Sequence, residues 1–230
     1  MISDRHDPLD LHDRYQNADP FPHIVLDDFL LTPIANKIAT ELEKCDTSTW
    51  RADDHAHQVA KRWMSDPQLL PQTTGAVLQY MNSPEVCDYF SKLTGIDNLI
   101  PDPTYLGGGV HVSSPGGRLG VHADFNLHPA SKLHRRVNAL IFLNRQWDPS
   151  WRGQLELWDR ELQGPVVSVD PDLNRLTVFS ITDDAFHGVP ARIACPPDRK
   201  RFSLALYYYT DDRPEGEKTP FHWATWQKVS

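Results

Sequence analysis

The sequence predicts an α+β, mainly β chain, with supporting helices first and a sandwich or jelly roll after them. Helical spacing and capping signals are confined to the stretch before Gly95. After Pro101 short apolar runs alternate with Gly, Pro, Asn and Asp, the mark of many short strands. Helices segregated ahead of strands define α+β, and seven or eight short strands suit a sandwich or jelly roll. With 230 residues the chain can bury a core without disulfides or metals as staples. One domain is expected over 1–230, with a loose or wrapping polar arm over 1–20, a helical support region over 21–100 and the strand core over 101–230.

The elements follow in order. Segment 21-FPHIVLDDFL-30 reads as extended, ending in a turn. A helix starts at Thr32-Pro33, with Thr32 as N-cap, Pro33 in the first turn and an apolar stripe Ile34, Ile38, Leu42. Residues 50–71 are polar with scattered histidines and no element is assigned to them; around 53-DDHAHQ-58 a mobile polar lid is expected. A helix is expected over 73–81. Another runs from the Ser83 cap and Pro84 through Val86, Tyr89, Phe90 and Leu93 to a closing Gly95. Strands are expected over 104–113, 119–125, 137–144, 153–158, 165–169, 175–181 and 201–209. The run 137-VNALIFLN-144 is apolar on both faces, as in a central strand.

Charge and cysteines narrow the function classes. A formal net charge of −8 argues against nucleic acid as a partner, which calls for a basic footprint. Three scattered cysteines, Cys45, Cys87 and Cys195, form no disulfide framework and no metal-binding CxxC pair, as expected of free thiols in a reducing compartment. No apolar signal core opens the chain and no run is long enough to span a membrane. A cytoplasmic protein with no membrane partner is expected; the oligomeric state is open, and a homodimer is compatible with the sequence.

The chemistry gathers in the strand half. In 120-GVHADFN-126, His122 and Asp124 are two residues apart, so on a strand they share a face. An imidazole beside a carboxylate holds one face of a divalent metal and needs a third ligand from another strand. His187, in a polar turn after the apolar run LTVFSI, is the candidate. Two His and one carboxylate leave open positions, the facial triad of non-haem Fe(II) oxygenases. Further on, 201-RFSLALYYY-209 places Arg201 and Ser203 on one face. Arginine grips a carboxylate through two parallel hydrogen bonds, and a serine hydroxyl beside it adds a third.

Taken in order, these motifs resemble the Fe(II)/2-oxoglutarate-dependent dioxygenases, and within them the prolyl-4-hydroxylase-like group. The likeness runs from about Tyr105 to Tyr209 and is carried by 122-HADF-125, 140-LIFLN-144, 153-GQLELWD-159, 187-HGV-189 and 201-RFSLALYYY-209. It implies a double-stranded β-helix (jelly-roll) core, with Fe(II) held by His122, Asp124 and His187. Arg201 would bind the distal carboxylate of the co-substrate 2-oxoglutarate, with Ser203 beside it. Relatives often place a Tyr on the strand before H-x-D; here His111 stands in that region, with Tyr105 as the alternative. Loop 151-WRGQ-154 has one Gly where relatives often have two, which puts its turn type in question. The reaction implied is hydroxylation of an unactivated C–H with O2, releasing succinate and CO2. Asp124 favours hydroxylation or desaturation over halogenation, since related halogenases lack the carboxylate.

The substrate is less legible: a small metabolite or a peptidyl, proline-like side chain. The basic run 132-KLHRR-136 reads as a solvated loop, or else as a contact for an anionic substrate. Trp147, Trp151 and Trp158 are candidates for the substrate mouth, Trp158 first. His55 and His57 form a weak second H-x-H pair. Two other readings stand beside the oxygenase: a cupin-type metalloenzyme without 2-oxoglutarate, and a non-catalytic jelly-roll binding module.

Overall fold

The computed structural model describes residues 1–102 and 104–229. Of the core expected over 101–230, Pro103 and Ser230 lie outside the described residues. The elements are α1 (Pro8–Gln16), β1 (His23–Leu26), α2 (Thr32–Glu43), β2 (Arg51–Ala52), β3 (Gln58–Met64), α3 (Gln72–Tyr80), α4 (Pro84–Thr94), β4 (Ile100–Pro101), β5 (Gly109–Ala123), β6 (His134–Phe142), β7 (Leu155–Trp158), β8 (Pro165–Val169), β9 (Arg175–Ser180), β10 (His187–Val189), β11 (Arg201–Thr210) and β12 (Thr225–Trp226).

The strands pair antiparallel in the order β1-β9-β6-β11-β5-β10-β7-β8 and curl into a nearly closed, jelly-roll-like barrel. Strand β5 makes the corner. Its first half, Gly109–Ser113, pairs with β11, and its second half pairs with β10. Segment 114-SPGG-117 bulges between them, which is why the sequence reads as two strands where the chain forms one bent strand. Strands that change sheets do so through such bends. As expected, β6 is central, flanked by β9 and β11.

Alternation sorts the side chains. On β6, Val137, Ala139 and Ile141 face the helices, joined by Leu204, Leu206 and Tyr208 of β11 and by Ile38, Leu42, Val77, Phe90 and Leu93 of α2, α3 and α4. The opposite faces carry Asn138, Leu140 and Phe142, and Arg201, Ser203 and Tyr207, which line the barrel interior. Phe142, Phe179, Leu155 and Leu157 belong to a second, smaller apolar cluster.

Several expectations are refined. Of the two expectations for the N-terminal arm, the structure has the wrapping one: Asp7 caps α1, accepting from the Leu9 N–H at 2.9 Å, and Tyr15 is buried with its hydroxyl paired to Ser180 at 2.8 Å. Thr32 is the first residue of α2 rather than its cap; Leu31 holds the cap position without a side-chain bond. The unassigned stretch after Trp50 folds as a β2–β3 hairpin whose turn, 53–57, is the segment expected as a lid, and β3 extends the barrel by pairing with β5. The support region thus contributes β1 and β3 to the sheet as well as helices. By contrast α4 has the expected cap geometry, with Ser83 accepting from Val86 and Gly95 in the left-handed region at φ +67°. The three cysteines are free, and no described helix is long and apolar enough to cross a membrane.

Candidate active site

His122 and Asp124 lie at the end of β5, and His187 opens β10 directly opposite His122. The close approach depends on Gly188: a Cβ there would sit 2.8 Å from the Gly120 carbonyl oxygen. His187 is therefore on a strand, not in the polar turn expected for it. One ligand atom from each of the three residues lies within 4.8 Å of the others, the only such cluster among the described residues. His122 Nε2 is 3.5 Å from Asp124 Oδ1, and His187 Nε2 is 3.4 Å from Asp124 Oδ2.

Both rings are oriented by backbone. His122 Nδ1 lies 2.9 Å from the Gly120 carbonyl, and His187 Nδ1 lies 2.9 Å from that of Ala185. With Nδ1–H donating, each Nε2 keeps its lone pair for a cation. Burial, reinforced by the adjacent His122 ring, pushes His187 down to about 4, so it is a neutral ligand at physiological pH. Burial alone would raise the Asp124 carboxyl. The Arg135 guanidinium, with His187 and His122, outweighs it and holds the group well below the usual carboxylate range. Two imidazoles and a carboxylate, with no thiolate, fit Fe(II).

Arg135 is a site residue that no motif in the sequence marks. The run 132-KLHRR-136 is no solvated loop: Arg135 is 1 % exposed and its Nη2 lies 3.0 Å from Asp124 Oδ2. The β6–β11 register slips between Tyr208 and Tyr209, leaving Arg136 as the extra residue, and this bulge turns Arg135 inward. Its guanidinium also bonds Asn138 Oδ1 and lies 3.6 Å from the Tyr207 ring centroid. Asn138 Nδ2 donates to Asp124 Oδ2 at 2.7 Å. One carboxylate oxygen is thus held by Asn138 and Arg135, and the other is free of them. The only available signal was position: Asn138 alternates inward on a strand that otherwise presents apolar residues.

Across the cavity, Arg201 is buried and its Nε donates to the Gly153 carbonyl at 2.7 Å. Burial lowers it to about 10, still charged. It has no carboxylate partner among the described residues, so a charged guanidinium sits in the barrel without a counter-ion. Ser203 and His111 face each other in register on β11 and β5, and both line the same cavity of about 220 Å³. The His111 Nε2 lies 2.9 Å from the Gly107 carbonyl. Burial, with Lys61 nearby, pulls its pKa well below the ordinary histidine value. All six expected site residues are therefore brought to one cavity.

Other candidates fall away. The Tyr105 hydroxyl donates to the Leu78 carbonyl in the helical layer, and the residue does not line the cavity. Trp158 bonds Glu156, and Trp147 packs on Trp151; none of the three lines the cavity. The tryptophan that does is Trp226 on β12, whose ring centroid is 4.8 Å from that of His122. It stacks on His57 at 4.9 Å, so His55 and His57 flank an aromatic wall instead of forming a second metal site.

A barrel with a His-Asp-His cluster and an unpaired buried arginine has side chains suited to a divalent metal and to a carboxylate-bearing co-substrate. Residues 108–209 match the family described as the 2OG-Fe(II) oxygenase superfamily, whose members use Fe(II), 2-oxoglutarate and O2. No curated protein matches the sequence. Among solved structures the chain is similar to a prolyl hydroxylase from Trichoplax adhaerens in complex with a hypoxia inducible factor peptide fragment. The TM-score is 0.60 at 19% identity, over 88% of this chain and 89% of that one. It is equally similar to a prolyl-4-hydroxylase from Pseudomonas putida, with TM-score 0.60, 19% identity, and coverage of 89% and 100%. The carbocyclase SnoK of nogalamycin biosynthesis also shares the fold, with TM-score 0.59, 13% identity, and coverage of 95% and 86%.

Proposed function

We propose that this oxygenase hydroxylates an unactivated C–H of a small metabolite or a peptidyl, proline-like side chain, as a single catalytic domain in the cytoplasm, alone or as a homodimer. The observation that carries the reading is the pairing, in one cavity, of the His122/Asp124/His187 cluster with the unpaired Arg201. A cupin-type metalloenzyme or a binding module has no use for that arginine.

In this reading His122, Asp124 and His187 hold Fe(II), which supplies O2 activation coupled to oxidation of 2-oxoglutarate to succinate and CO2. The chain's own residues do the positioning. Arg135 and Asn138 fix the Asp124 carboxylate so that one oxygen faces the metal. Arg201 receives the distal carboxylate of 2-oxoglutarate, its orientation set by the Gly153 carbonyl. Ser203 and His111 add polar contacts beside it. Phe142, Leu140 and Trp226 keep water from the reacting centre.

The test is an anaerobic titration with Fe(II) and then 2-oxoglutarate, followed by the weak visible band of the chelate. The band is expected in the wild type and absent in His122→Ala. Fe(II) binding without the band would favour the cupin-type reading, and no binding of either would leave a binding module.

A further inference from the structure

The cavity is basic in an acidic chain. Against a net charge of −8, it is lined by Lys61, Arg118, Arg135 and Arg201 and by one carboxylate, Asp124. Arg135 is neutralised by Asp124 at 3.0 Å. Neither Lys61 nor Arg118 has a carboxylate partner among the described residues.

The register orders these cations. Lys61 on β3 faces Ser113 on β5, which in turn faces Arg201 on β11. With neighbouring strands about 4.8 Å apart, the backbones of Lys61 and Arg201 are roughly 10 Å apart across the row. Arg201 is deep, whereas Lys61 and Arg118 are half-buried. The Lys61 ammonium has no hydrogen-bond acceptor among the described residues. Burial, opposed by Asp124 and reinforced by Arg201 and Arg135, lowers it to about 8, so it carries its charge at neutral pH. Arg118 Nη2 donates to the Ala56 carbonyl at 2.7 Å, but its Nε is buried without a partner.

2-Oxoglutarate does not account for this excess. Of its two negative charges, one meets the metal and the other meets Arg201. Lys61 and Arg118 then retain two positive charges without a counter-ion. Uncompensated cations lining a cavity raise the local concentration of anions and reject cations.

We infer that the primary substrate is anionic, with a carboxylate or phosphate group held by Lys61 and Arg118 on the more exposed side of the cavity. This rests on the reading in which 2-oxoglutarate occupies Arg201. It also makes Lys61 a specificity residue for the substrate, not a co-substrate anchor.

The test uses the full chain loaded anaerobically with Fe(II) and saturating 2-oxoglutarate, titrated by calorimetry with inorganic phosphate and, separately, acetate. Wild type is compared with Lys61→Gln, Arg118→Gln and the conservative Lys61→Arg, each checked for an unchanged melting profile. Saturable binding of an anion is expected, weakened tenfold or more by either Gln variant and retained in Lys61→Arg, with 2-oxoglutarate affinity within twofold of wild type. Binding of phosphate alone assigns a phosphorylated substrate; binding of acetate alone assigns a carboxylate. If the loaded wild type binds neither anion, the inference is overturned while the oxygenase reading stands. If Lys61→Gln loses 2-oxoglutarate, Lys61 belongs to the co-substrate and the inference is overturned. If wild type binds neither Fe(II) nor 2-oxoglutarate, the oxygenase reading fails and takes this one with it.

Discussion

Arg135 and Asp124 form a buried ion pair, Nη2 to Oδ2 at 3.0 Å, inside the residue cluster suited to a metal. The pair has a cost. Removing one member of a buried pair leaves the other charge unpaired, typically ~3–5 kcal/mol. Arg135→Met is expected to destabilise the metal-free protein by an amount on that order. A bound divalent cation supplies the missing positive charge, so the loss should shrink when Fe(II) is present. Urea unfolding with and without metal measures both; equal losses would show that Arg135 acts through packing on Tyr207 and Phe125 and not through charge.

Arg201→Ala is expected to weaken 2-oxoglutarate binding by about 100-fold or more, in line with ~2–5 kcal/mol for truncating one partner of a buried charge pair. Metal affinity should change little, because Arg201 touches Gly153 and Phe142 and none of the three candidate ligands. Separate Fe(II) and 2-oxoglutarate titrations of the variant decide it, and parallel loss of both would point to misfolding.

Arg152 occupies φ 61°, ψ −154°, a region nearly reserved for glycine, where other residues incur strain of about 1–3 kcal/mol. This settles the turn type in question for 151-WRGQ-154: Arg152 takes a glycine-like conformation next to Gly153 at φ +86°. Arg152→Gly should raise thermal stability by about 1 kcal/mol, less than the full strain because glycine also frees the unfolded chain. Trp147 Nε1 bonds the Arg152 carbonyl at 2.7 Å, a backbone contact the substitution keeps. A lower melting temperature would mean the arginine side chain contributes more than its backbone costs.

Glu41 on α2 caps α3, accepting from the Thr73 N–H at 3.1 Å, the Thr74 N–H at 2.8 Å and the Thr74 hydroxyl at 2.8 Å. Burial would raise its pKa, but these donors lower it below the ordinary glutamate value. A depressed folded-state pKa contributes stability above the unfolded value, lost as pH falls through the folded one. Glu41→Gln should therefore destabilise near neutral pH, by at most about 1 kcal/mol for such a solvent-screened cap, and flatten the decline of stability toward acid. Denaturant melts at neutral pH and at a pH below the folded-state pKa test the sign. A difference from wild type that does not narrow with acid would rule out the charge contribution.

Much of this protein was written in local patterns. The capped helix α4, the central strand β6, the H-x-D pair, His187, and Arg201 with Ser203 were all legible. Capping needs only neighbours in the chain, strand alternation puts residues two apart on one face, and metal chemistry narrows the residue types. What stayed hidden depends on contacts between distant segments. Residues 50–71 carry no strand alternation of their own, and β3 forms because the edge of β5 offers it a partner. Arg135 looked like a surface cation until a one-residue slip against β11 turned it toward Asp124. Trp226 is 104 residues from His122 in the chain and reaches it only because β12 pairs with the end of β5. The sequence alone thus determined the kind of chemistry and most of the residues suited to it. The tertiary structure decided which cations are neutralised and which are left facing the cavity, because charge pairing depends on distance in space and is not encoded in spacing along the chain.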